Sequence, residues 1–115
     1  MRPLNFTVRR QHMDALSQVF PELAASVSAA LERMGKTDLA RECLVARIFR
    51  VTFDVSVDAA YIYLNELGPD NCESVPLEMP RWMIVLDTVS GRPQGLEWLS
   101  PPEPFKAELR ARAAV

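Results

Sequence analysis

Phe49-Arg50-Val51-Thr52-Phe53-Asp54 is the stretch on which the reading of the fold turns. Its apolar side chains alternate with polar ones, the period of two that marks a half-buried strand. Upstream of Ala46 the period is helical. Met13, Leu16 and Phe20 fall at helical spacing between Arg9 and Phe20, and Leu23, Val27, Ala30, Leu31 and Met34 make a second apolar stripe. Pro21 and Glu22 open that second helix, because a first helical residue needs no N–H partner and an acid there complements the dipole. Thr37 or Asp38 starts a shorter helix running to about Leu44.

Downstream of the switch the strands continue. Asp54-Val55-Ser56-Val57-Asp58 makes a turn into a strand from Ala59 to Leu64, rich in β-formers. Glu73 to Glu78 reads as an edge strand, because Pro76 cannot donate to a ladder. Trp82 to Asp87 and Gln94 to Leu99 form a hairpin about Ser90-Gly91. Phe105 to Ala113 closes the chain as a short helix anchored by Phe105 and Leu109. The expected class is α+β, in one domain spanning 1–115. A helical layer (1–45) packs on an antiparallel β-meander of four to five strands (46–100), and a C-terminal tail (101–115) follows. Trp82, Ile84 and Leu86 lie on one face of their strand, Met83 and Val85 on the other. A sheet apolar on both sides needs cover on both sides, from the terminal segment, a second copy or a partner.

Composition narrows the function. Of 115 residues, 49% are hydrophobic and 24% charged, an ordinary balance for a folded domain rather than a disordered one. The first ten residues lack the apolar core of a secretory signal, and Trp82 to Leu86 is far too short to span a bilayer. The expected location is the cytoplasm, with no membrane partner. The net charge of -2 conceals an asymmetry. Residues 1–50 carry eight Lys/Arg against five Asp/Glu, a net +3, whereas 51–103 carry two against nine, a net -7. A surface of that sign repels phosphate, which argues against nucleic acid, and steers basic partners.

The residues from Phe53 to Ser100 resemble the domain of unknown function 2283 family. The pieces are Asp54, Asp58-Ala59-Ala60-Tyr61-Ile62-Tyr63-Leu64, then Ile84-Val85-Leu86-Asp87, Gly91, and Gly95-Leu96-Glu97-Trp98-Leu99. The resemblance implies a small β-meander and implies no activity.

Candidate chemistry is sparse. Asp54, Ser56 and Asp58 have the oxygen spacing of a calcium loop, but Ala59 and Asn65 stand where such a loop needs Gly and a bidentate acid, so a hairpin turn is expected. His12, Cys43 and Cys72 lack zinc-site spacing, and Cys43 reads as a buried small residue. No cofactor or metal is expected. Asp87 and Glu97, across one hairpin, are the carboxylate pair that could serve acid–base chemistry, yet no nucleophile with a base and helper accompanies them. Tyr61, Tyr63, Trp82 and Trp98 are either binding anchors or core, with Trp82 packing on Trp98 in the second case. The expected function is a non-enzymatic protein-binding module that neutralises a basic partner, similar in size, acidity and lack of catalytic residues to the bacterial immunity proteins and antitoxins that occlude a toxin's active site. The expected partner-binding residues are Asp54, Asp58, Tyr61, Tyr63, Glu66, Glu73 and Glu78. The alternatives are a small-ligand binder or minor enzyme with a pocket between helices and sheet, and a homodimer or larger oligomer of structural role.

Overall fold

In the computed structural model, residues 4–7, 14–65 and 72–113 are described, and they assemble in the order β1 (Leu4–Thr7), α1 (Leu16–Val19), α2 (Pro21–Arg33), α3 (Thr37–Val45), β2 (Ile48–Asp54), β3 (Ala59–Leu64), β4 (Cys72–Leu77), β5 (Met83–Val89), β6 (Arg92–Leu99) and α4 (Glu103–Ala113). The class is α+β, with helices before an antiparallel sheet and a short C-terminal helix after it, as the change of period predicts. The N-terminal segment adds something that reading lacks: β1 pairs antiparallel with β2, so a strand precedes the helices. Of the helical stretch expected from Arg9, residues 9–13 lie outside the described residues, and the described part holds the single turn of α1 after an extended Ala15. His12 and Glu66 lie outside the described residues, as does the side chain of Leu109.

The six strands run β1-β2-β3-β6-β5-β4, all neighbours antiparallel. One continuous meander would have set β3 beside β4. Instead the sheet is two three-stranded halves, β1-β2-β3 and β4-β5-β6, joined where Ala59 to Tyr63 pair with Gly95 to Leu99. β4 is an edge strand, where Pro76 is tolerated. At the β5–β6 turn, Ser90 (φ 53°) and Gly91 (φ 77°) both take the left-handed conformation. That pairing suits the right-handed twist of a two-residue hairpin and explains the Gly.

One face of this sheet is the core. Val51, Phe53, Ala60, Ile62, Leu64, Ile84, Leu86, Leu96 and Trp98 are buried there beneath Leu16, Phe20 and the apolar stripe of α2. A register shift between Ile48 and Arg50 inserts an extra residue opposite Leu64. The bulge turns Ile48 inward to full burial and Arg50 outward. The terminal helix packs on this same side: Phe105 sits 4.3 Å from Trp98 and 5.0 Å from Phe20, ring centre to ring centre. Lys106 lies 5.7 Å from the Phe53 ring and 2.7 Å from the Asp58 carboxylate. All four helices therefore share one side, and the segment that could have covered the other face does not.

Leu86 is fully buried on a central strand opposite Leu96. Leu86→Ala is expected to cost about 2–5 kcal/mol through lost burial and the cavity left behind, read as a lower denaturant midpoint at unchanged slope.

Candidate functional site

The uncovered face is built by strand alternation. Arg50 and Thr52 of β2, Ala59, Tyr61 and Tyr63 of β3, Gly95, Glu97 and Leu99 of β6, Met83, Val85 and Asp87 of β5, and Ser74 and Pro76 of β4 share it by register. Most are half-buried by one another, while Met83 is 64% exposed. The face is apolar at the end where Met83, Leu99 and Ala59 line up, and polar towards Asp87 and Arg50.

Gly95 organises the polar end. A Cβ at that position would overlap the Tyr61 ring, so the missing side chain makes the slot in which the phenol lies. Across that slot the Tyr61 hydroxyl donates to Asp87 Oδ2 at 2.7 Å, while Ser74 Oγ donates to Asp87 Oδ1 at 2.7 Å. One carboxylate thus ties β3, β5 and β4 together over β6. Tyr63 packs 4.6 Å from Tyr61, and the Arg50 guanidinium lies 4.7 Å from the Tyr63 ring centre, a separation at which a cation is attracted to the ring face. Burial, reinforced by the bond to Asp87 and its charge, pushes the Tyr61 phenol well above the ordinary tyrosine range. Asp87 is occupied by two hydroxyls, so the Asp87–Glu97 pair is not a free acid–base couple.

The residues expected to bind a partner separate into three places. Tyr61 and Tyr63 come together on the open face. Asp54 and Asp58 close the β2–β3 turn and are engaged within the chain. Asp54 Oδ1 accepts from the Ser56 N–H at 3.0 Å and the Ser56 hydroxyl at 2.6 Å, bonds that lower its pKa, and Asp58 holds Lys106. Glu73 and Glu78 lie exposed at opposite ends of the edge strand β4. The described acids among them, Asp54, Asp58, Glu73 and Glu78, therefore do not form one patch around the first hairpin. Among the described residues no group of three His, Cys, Asp or Glu is placed to hold a metal. Cys43 is buried and its thiol is pushed up to about 12 by desolvation and then by Glu42, whereas Cys72 is exposed on β4. The sequence marks Gly95 only as part of the resemblance, and it does not reveal the bracing roles of Ser74 and Asp87. A glycine inside a strand, between Gln94 and Leu96, was the available signal.

A second concavity opens at the other end of the fold, where α2, α4 and the ends of β5 and β6 meet. It encloses about 430 Å³ between Phe20, Leu23, Phe105, Trp82 and Trp98, with Glu22 and Arg81 on its rim. The two indoles lie 4.7 Å apart, so the hairpin does bring them together. The Trp98 N–H is buried without an acceptor among the described residues, a deficit of about 1–3 kcal/mol for a desolvated donor.

No family model, curated protein or solved structure matches the chain.

Two outcomes test the brace. Gly95→Ala should cost about 1–3 kcal/mol by forcing the Tyr61 ring from its slot, and less in a Tyr61→Ala background, measured by chemical denaturation. Tyr61 holds its proton more tightly folded than unfolded, so the unfolded chain ionises first and stability falls as pH rises above about 10. Tyr61→Phe should flatten that alkaline fall, measured as unfolding free energy against pH, and leave the slope near neutrality unchanged.

Proposed function

We propose that this chain is a non-enzymatic protein-binding module whose open sheet face receives a basic protein, in the manner of an immunity protein or antitoxin that covers a toxin's working surface. The observation that supports this is the one-sided packing: four helices lie on one side of the sheet, leaving opposite them a face of half-exposed aromatic and aliphatic side chains. Tyr61, Tyr63, Met83, Val85 and Leu99 supply the apolar area that an interface centre needs, and tyrosine is enriched among its anchors. Glu97 and Asp87 lie within that area, and Asp54 lies at its margin. The described basic residues on the face are Arg50, already stacked on Tyr63, and Arg92 at the hairpin end opposite Val89, against the three acids Asp54, Asp87 and Glu97. A basic surface therefore complements it, and the acidic balance of residues 51–103 adds long-range attraction.

The residues on which the resemblance to the domain of unknown function 2283 family rests include Tyr61, Asp87, Gly95 and Glu97. They lie together on this face, which favours it as the part that the resemblance marks. A non-enzymatic role is supported by the chemistry at hand, since the Tyr61 phenol is held protonated and the Cys43 thiol is buried and hard to ionise.

The test is affinity capture by the intact chain beside two altered chains. Tyr63→Ala with Val85→Arg alters the open face, and Glu32→Gln alters an exposed position on α2. The expected result is a basic protein retained by the wild type and Glu32→Gln and lost by the face variant, with an association rate that falls as salt rises. Retention by the face variant, an acidic captured protein, or recovery of only a second copy of this chain would each remove the reading.

A further inference from the structure

The centre of the open face holds a carboxylate whose needs the fold does not meet. Glu97 stands on β6 between Tyr61 of β3 and Val85 of β5, with Gly95 and Leu99 as its same-face neighbours along the strand. It is half-buried, yet it has neither a hydrogen bond nor an ion pair among the described residues. The other acids of the face are engaged: Asp87 accepts from Tyr61 and Ser74, and Asp54 accepts from Ser56. The two arginines of the face are placed elsewhere. Arg50 lies against the Tyr63 ring beyond β3, and Arg92 is five residues away along β6. A partly desolvated charge without a counter-ion weakens the free fold, so a partner that supplies one gains more from it than from a fully solvated acid.

We propose, resting on the open face as the docking surface, that Glu97 is its specificity-determining residue and receives one arginine side chain of the partner. The carboxylate takes the guanidinium in a paired N–H···O contact, and the aliphatic stem lies over Val85 and Leu99. Asp87, two residues from Val85 on β5, keeps its charge while its oxygens accept from hydroxyls, so it attracts the cation without competing for its N–H groups. Arginine is favoured over lysine because its planar fork matches a carboxylate, and because it is more weakly hydrated and stacks on aromatic rings. The face already shows that last preference in Arg50, whose guanidinium lies 4.7 Å from the Tyr63 ring centre.

The probes are three capped tripeptides, Leu-Arg-Leu, Leu-Lys-Leu and Leu-citrulline-Leu, the last an uncharged isostere of the first. They are titrated into the intact chain and followed by the backbone amide resonances of Tyr61, Val85 and Glu97. The arginine peptide should move these amides saturably, with a dissociation constant of about 1 mM for so small a contact. The citrulline peptide should bind about tenfold more weakly, as should the arginine peptide to Glu97→Gln, because each change removes a charge-assisted bond. The lysine peptide should fall between them. Glu97→Gln should also leave the denaturant midpoint of the free chain unchanged or raise it, since no internal partner is lost. Equal binding of the arginine and citrulline peptides, indifference of the arginine peptide to Glu97→Gln, shifts confined to other parts of the chain, or a lowered midpoint in Glu97→Gln would each overturn the proposal. A basic protein retained by Glu97→Gln as well as by the wild type, yet lost by Tyr63→Ala with Val85→Arg, would overturn it while upholding docking on this face. Arginine-selective shifts at Glu97 without a captured protein would uphold it and remove the docking reading.

Discussion

The pairing of β3 with β6 is the contact on which the rest of the architecture depends. Every other strand neighbour lies within one half of the sheet, and only Ala59 to Tyr63 against Gly95 to Leu99 joins the halves. On the core side that seam is closed by Ile62 and Leu96, both fully buried, and beside them by Ala60 and Trp98. On the open side it is closed by the Tyr61 ring lying over Gly95 and reaching Asp87. The two sides do different physical work. Apolar burial supplies the free energy, roughly 25 cal/mol for each Å² removed from water. The directional hydroxyl–carboxylate bonds fix the register, since a slip of one residue would turn every side chain to the wrong face.

Much of this was legible in the residues themselves. The change of period at Ala46 separated helices from strands because burial on one side imposes 3.6 on a helix and 2 on a strand. Pro21 marked the start of α2, and Ser90-Gly91 marked its hairpin, because both act through local backbone geometry. The strand Leu4–Thr7 was not read as one, since four residues carry little alternation and the helices that follow separate it from its partner β2. The order of strands was likewise out of reach. A meander assumes that neighbours in sequence are neighbours in space, and nothing local tells Leu64 that β6, rather than β4, lies beside its strand.

The site shows the same division. Tyr61 and Tyr63 stood out as aromatic residues in a strand, and they do share a face. Asp54 and Asp58 looked like surface charge and are instead occupied by Ser56 and Lys106, the second partner lying on a helix distant in sequence. Asp87 drew notice within the resemblance and as a carboxylate opposite Glu97, but not as a brace, because its two hydroxyl partners, Tyr61 and Ser74, come from strands whose placement was unknown. Residues whose roles depend on one element could be read early. Those that join three strands could be read only once the register was fixed.

The seam also bears on how this protein assembles and responds. Each half of the sheet holds a hairpin of short-range contacts, β2–β3 or β5–β6, whereas their junction closes a chain segment of some thirty residues and so forms at greater entropic cost. The halves are thus natural units of partial order, and the junction is the step that makes the fold a single cooperative body. Anything that grips Tyr63 on one half and Val85 on the other straddles this junction. By mass action such an occupant holds the halves together, so protection of the seam amides from hydrogen exchange becomes a measure of how fully that face is occupied.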